Sequence, residues 1–372
     1  MTEENNIQPT EGHTERPDKE ETTSPTPHTP EDAVAKEAED EHKENTKESQ
    51  MPSTGHIDVR PLSEYVDAIR NEISKVIVGQ NDLVDLMITC MLVRGHCLIE
   101  GLPGIAKTLT SRLLAGTISA DYSRIQFTPD LMPTDITGTS VFNMKEGNFD
   151  FRKGPIFSNV VLIDEINRAP AKTQAALMEV MEERQITYDG VTYVMDNPFF
   201  VIATQNPIEQ EGTYNLPEAQ LDRFLFKIKL GYPSLEDEEQ ILKRFEQDFG
   251  NRHEDEIKAV VSKEAIDECV HIVEKVHIRP ELLKYIAAVV HNTRNNGDLY
   301  LGASPRASLS IMRASKAFAA INGRDFVTPD DIKTVAHPVL NHRLIMSHER
   351  EMDGTPMEDI INSILSTIEI PR

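Results

Sequence analysis

From Leu62 onward the large apolar residues follow a helical period. Leu62, Val66, Ile69, Ile73 and Val76 share one face, Ile77-Val-Gly79-Gln80 interrupts the pattern, and a second apolar helix is predicted over 82–94. Short apolar runs then alternate with helical stretches. Strands are predicted at 96–100, near 123–127 and at 159–163, 199–203 and 225–228, with helices near 107–118 and at 170–183. Strands separated by helices imply a parallel sheet covered on both faces. Two stretches break this rhythm with alternating residues around glycine turns. Residues 138–151 turn at Glu-Gly-Asn and 185–195 at Asp189-Gly190, so both read as β-hairpins inserted into the core. After Tyr232-Pro233 only helical patterns remain, at 235–249, 263–276, 280–294, 305–322, 329–339 and 357–368. Thr328-Pro-Asp-Asp supplies an N-cap, a proline at the first helical position and acids in the first turn.

The first 55 residues carry few large apolar side chains and are rich in Glu, Thr, Pro and Ser. Residues 1–50 hold 15 acidic and 5 basic residues, and such a segment is expected to be a disordered acidic tail. The expected division is a tail over 1–55, an α/β core with two hairpin insertions over 56–232, and a helical domain over 233–372. The whole chain has a net charge of −24, which argues against a surface built mainly to neutralise nucleic-acid phosphates. Cys90, Cys97 and Cys269 lie apart in apolar surroundings and read as reduced core thiols. There is no secretory signal pattern, and the apolar stretch at 86–93 is too short to cross a bilayer. A soluble cytoplasmic protein is expected, without a transmembrane segment.

Chemistry enters with Gly101-Leu102-Pro103-Gly104-Ile105-Ala106-Lys107-Thr108, followed by Leu109, between a predicted strand and a predicted helix. That order suits a phosphate-binding loop, in which backbone N–H groups at a helix start converge on the β- and γ-phosphates. Lys107 would bridge those phosphates and the Thr108 hydroxyl would ligate Mg²⁺. Ala106 stands where the usual pattern has its last glycine. The apolar strand Val160-Val-Leu-Ile ends in Asp164-Glu165, 57 residues after Lys107. At the C-terminal end of a parallel strand, Asp164 can hold Mg²⁺ and Glu165 can polarise an attacking water. The next strand ends at Asn206, before Pro207, where the amide could orient that water or simply close a turn.

These segments, with Leu-Ile-Asp-Glu-Ile-Asn-Arg-Ala-Pro (162–170), Ala-Thr-Gln-Asn-Pro (203–207), Leu-Pro-Glu-Ala-Gln-Leu-Asp-Arg-Phe (216–224) and Gly-Ala-Ser-Pro-Arg-Ala (302–307), resemble the MoxR family of AAA+ ATPases. The match runs in order from about residue 60 to the C-terminus. It implies a P-loop AAA+ core with a parallel sheet flanked by helices, followed by a small all-α lid domain. It implies that Asn206 is sensor 1 and that Gly79 and Gln80 pack near the adenine. Arg223 matches the arginine finger that reaches the nucleotide of a neighbouring subunit. Arg306 matches sensor 2, a lid arginine expected to contact the γ-phosphate of its own subunit. ATP and Mg²⁺ are the implied cofactors. A finger acting in trans implies a homo-oligomeric ring, expected to be a hexamer, that works as a chaperone-like motor on a protein client. A partner with a von Willebrand factor A domain is also implied, and no direct nucleic-acid contact is expected. A nucleic-acid motor and a chelatase- or activator-type subunit share much of this core and stand as alternatives.

Overall fold

The computed structural model describes residues 57–208, 212–246 and 257–371. The expected acidic tail and the end of the helix predicted at 235–249 lie outside the described residues. Two helices, α1 (Arg60–Ser74) and α2 (Asn81–Leu92), lead into β1 (Cys97–Gly101), the phosphate-loop segment and α3 (Lys107–Thr117). Next come β2 (Tyr122–Gln126), a short α4 (Pro133–Thr137) and the hairpin of β3 (Gly138–Asn143) and β4 (Asn148–Lys153). The core continues with β5 (Val160–Asp164), α5 (Ala171–Glu183), the hairpin of β6 (Gln185–Tyr188) and β7 (Val191–Val194), β8 (Phe200–Gln205), α6 (Glu218–Leu221) and β9 (Phe226–Leu230).

Five of these strands form one parallel sheet in the order β2-β5-β8-β1-β9. Their side chains alternate between two apolar layers, as a pleated strand requires. Cys97, Ile99, Val160, Leu162, Phe200 and Ile202 face the layer that contains α1, α2 and α3, whereas Leu98, Val161, Ile163, Val201 and Ala203 face α5. Burial on both faces explains why these strands read as continuous apolar runs.

The remaining elements are α7 (Leu235–Phe245), α8 (Lys263–Lys275), α9 (Pro280–Arg294), β10 (Leu299–Leu301), α10 (Pro305–Ile321), α11 (Pro329–Leu340), β11 (Ile345–Met346), α12 (His348–Met352) and α13 (Met357–Thr367). Proline opens α9, α10 and α11, where the missing N–H costs no intrahelical bond. Thr328 and Asp331 close a capping box on α11, as its sequence predicts. A small antiparallel β10–β11 ribbon joins the helices, an element too short to show a period-two signal. The C-terminal helices share one apolar layer with the core: Leu62, Met87, Ile311, Ile332 and Ile361 belong to the same buried cluster. Among the described residues no helix is long and apolar enough to cross a membrane.

Both inserted hairpins form as expected, and Asp189 and Gly190 both take positive φ, the twist that a two-residue hairpin turn needs. Aromatic rings join them. Phe151 stacks on Tyr193 with centroids 4.6 Å apart, lies 5.0 Å from Tyr188 and meets the edge of Phe157 at 6.2 Å. At the free end of the first hairpin, Phe142, Met144 and Phe149 are exposed.

Candidate active site

The phosphate-loop segment leaves the C-terminal end of β1 and enters α3 at Lys107. Gly101 allows the loop to fold back on the strand, because a Cβ there would lie 2.5 Å from Ile105 Cδ1. Ala106 adopts the left-handed conformation, φ 59°, which a glycine reaches without strain and an alanine reaches at about 1–2 kcal/mol. The missing glycine therefore leaves the backbone path intact at a small cost. The Lys107 ammonium donates to the Gly101 carbonyl, which keeps it over the loop. Gln80, also left-handed, donates from Nε2 to the Ile105 carbonyl at 3.1 Å and so ties the 79–80 segment to the loop. Beside it, Gly79 is confined by a positive φ and by Asp237, whose Cγ would sit 2.9 Å from an added Cβ. Gln80 lines a cavity of about 530 Å³ with Lys229, Tyr232, Ser234, His337 and Asn341. Its Oε1 is buried and has no hydrogen-bond partner among the described residues.

The acids stand at the same edge. Asp164 is buried at the end of β5, and the Thr108 hydroxyl lies 3.5 Å from both of its carboxylate oxygens. Thr204 donates to Asp164 Oδ1 at 3.0 Å and Arg124 donates to Oδ2 at 2.6 Å. Glu165 follows in the left-handed region, φ 58°, with its N–H donated to Thr204 Oγ1. A non-glycine residue held in that region stores strain of a kind that clusters at functional sites. Its carboxylate accepts from Gln126 at 3.0 Å and pairs with Arg168 at 2.9 Å. Asn206 follows β8, the strand between β5 and β1, so it lies between the acids and the phosphate loop. Its Oδ1 accepts from the Ile208 N–H at 3.2 Å, the turn-closing role open to it from sequence.

The two arginines are elsewhere. Arg223 precedes β9 and Arg306 opens α10, and both hold Glu182 near the end of α5. Arg223 also donates to the Met178 carbonyl at 3.0 Å, and Arg306 lies 3.7 Å from Asp222. They line a cleft of about 290 Å³ with His96 and Arg343, at the N-terminal edge of the sheet. The five residues of β1 separate that edge from the phosphate loop by about 16 Å. The structure thus brings Arg306 to Glu182 and Asp222, and not to the phosphate loop of its own chain. Helix α10 packs along α2, and this packing carries its first turn to Glu182 and away from Lys107.

Two participants escaped the sequence. Glu182 is one acid among several on α5. Arg343 follows α11 and binds the 222–225 turn, a contact across 118 or more positions that no local pattern signals. Close by, His342 is buried and donates from Nε2 to the Phe224 carbonyl at 3.0 Å. Burial pushes the pKa of His342 well below the usual value and that of His96 down to about 3, so both imidazoles are neutral.

Comparison with known proteins agrees with this architecture. Residues 96–226 match the ATPase family associated with various cellular activities (AAA), and residues 291–364 match the AAA lid domain. The chain is 44% identical over 299 residues to the Bacillus subtilis (strain 168) protein YeaC, covering 80% of this chain and 92% of that one. It is also 44% identical over 310 residues to the chaperone MoxR1 of Mycobacterium tuberculosis, covering 81% of each. A crystal structure of a Cytophaga hutchinsonii protein, 42% identical, superposes with a TM-score of 0.78 over 85% of this chain and 97% of that one. The order of motifs, the sheet with its phosphate loop, the helical lid and these relatives place the chain in the MoxR family of AAA+ ATPases.

Proposed function

We propose that this protein binds ATP with Mg²⁺ at the C-terminal edge of its sheet and hydrolyses it with Arg223 and Arg306 supplied by a neighbouring copy in a homo-oligomeric ring. The observation that carries this reading is the separation of the two sets of groups. Lys107, Thr108, Asp164, Glu165 and Asn206 gather at one edge, and the arginines lie at the other, about 16 Å away. Phosphoryl transfer needs cations at the developing charge, and at its own loop a lone chain supplies Lys107 but neither Arg223 nor Arg306.

The residues present fit the nucleotide and its metal. Thr108 and Asp164 would hold Mg²⁺, which prefers hard oxygen donors such as theirs. When bound, Mg²⁺ would supply positive charge to offset that of the nucleotide's phosphates. Gln80 Oε1 is an unsatisfied acceptor in the adjoining cavity and suits the exocyclic amine of adenine. Glu165, held by Gln126 and Arg168, orients a water and takes its proton, while Asn206 donates to that water or to the γ-phosphate. Arg124 and Thr204 hold Asp164 in place beside Thr108.

A ring with such shared sites, expected to be hexameric, would couple hydrolysis to lid motion and remodel a protein client. A von Willebrand factor A domain partner is the binding protein that the family resemblance suggests. The Glu165→Gln protein should retain ATP binding and lose about 10²–10⁴-fold in turnover, measured by phosphate release and by binding of a fluorescent ATP analogue. Wild-type turnover in that variant would refute the assignment.

A further inference from the structure

The turn that carries Arg223 is held by a residue from far along the chain. Arg343 donates from Nε to Asp222 Oδ1 at 2.7 Å and from Nη2 to the carbonyls of Asp222 and Phe224 at 3.1 and 2.7 Å. Its Nη1 donates to the Leu225 carbonyl at 3.1 Å and to that of Val339. The side chain is 2% exposed, and Asp222 is its one carboxylate partner among the described residues. His342 adds a bond to the Phe224 carbonyl, so two successive side chains hold one turn.

Burying a guanidinium is costly, and apolar side chains often replace buried ion pairs without loss of stability. What a hydrocarbon cannot do is fix three carbonyls and a carboxylate of the same turn in a rigid fork. The segment that bears Arg343 also reaches the other side of the molecule. His337, Pro338 and Asn341 line the cavity beside Gln80, and Asn341 donates to the Lys227 carbonyl at 2.9 Å.

We infer that Arg343 is a positioning residue: it fixes the 222–225 turn so that Arg223 meets the neighbouring subunit's nucleotide at a set reach, and it ties that reach to the lid segment 337–343. The inference rests on the reading of Arg223 as a residue that acts in trans. A displacement of about 1 Å at a catalytic group can cost about 100-fold in rate, so small shifts of this turn are sufficient to matter.

The test compares wild-type, Arg223→Ala, Arg343→Lys and Asp222→Asn rings by steady-state ATPase assay and analytical ultracentrifugation. Lysine keeps the charge and loses the fork. Arg343→Lys should assemble normally and lose about 10- to 100-fold in kcat, with an unchanged KM for ATP. Mixing with Lys107→Ala subunits, which have an intact turn but a disabled phosphate loop, should restore turnover, and mixing with Arg223→Ala subunits should not. Asp222→Asn should show the same split, and it decides the matter if Arg343→Lys does not assemble. Wild-type kcat in both variants, or a loss that Lys107→Ala subunits fail to restore in assembled rings, overturns the positioning role. Full turnover in Arg223→Ala would instead overturn the trans reading itself.

Discussion

The two edges of the central sheet are built in different ways. At the C-terminal edge the groups are joined by short-range contacts around the strand ends: Thr108 faces Asp164, Thr204 touches both acids, and Gln80 clasps the loop. At the N-terminal edge the partly exposed Arg223 and Arg306 share one carboxylate, Glu182, and the two arginines lie 83 positions apart in the chain. The first edge is the proposed nucleotide site. The second is a pair of cations held by one carboxylate. A phosphate group of an adjacent copy is the competitor that the proposed mechanism requires.

That contrast can be broken experimentally, and the largest effect should come from its weakest link. Replacing Arg223 by Ala should lower hydrolysis by about 1,000-fold or more while leaving ATP affinity unchanged, whereas Lys107→Ala should abolish binding. Equilibrium nucleotide binding beside phosphate release separates the two, and equal loss of binding in both variants would erase the distinction between edges. Acid should then act unevenly. The two buried histidines among the described residues, His96 and His342, both sit at the arginine edge. The fold holds His96 neutral with a pKa of about 3, so the unfolded chain takes up its proton first as pH falls below 6.5. Stability should drop by about 1.4 kcal/mol per pH unit for each such histidine as the pH falls from 6.5 towards the folded value. Urea unfolding across pH 6.5–4.5 should show this slope, and His96→Gln should lower it by one histidine's share. The smallest effect is expected at Ala106, where glycine relieves left-handed strain but adds freedom to the unfolded chain. Ala106→Gly should stabilise by about 0.5 kcal/mol in the same assay, and a clear destabilisation would mean that the methyl group packs favourably.

How much of this could be read from the sequence follows the same division. The phosphate loop, Asp164, Glu165 and Asn206 lie within or just after strands, so motif order and apolar runs were sufficient to locate them at one edge. The two hairpins and the capped helices were equally legible, since each is specified by residues a few positions apart. The arginine edge was legible as residues but not as a place. Arg306 depends on how α10 packs against α2, and Arg343 grips a turn 118 or more positions away. Such contacts are decided by tertiary packing, which composition and periodicity do not encode locally.

The ring-to-ring contacts of Phe151 with Tyr188 and Tyr193 have a mechanical consequence. They pack the two hairpins against each other, so a displacement at the exposed Met144 end of the first would press on the second. The second hairpin begins one residue after Arg184, which ends α5, and that helix presents Glu182 to Arg223 and Arg306. Tension on the outer ribbon thus has a covalent route to the carboxylate that keeps both arginines occupied.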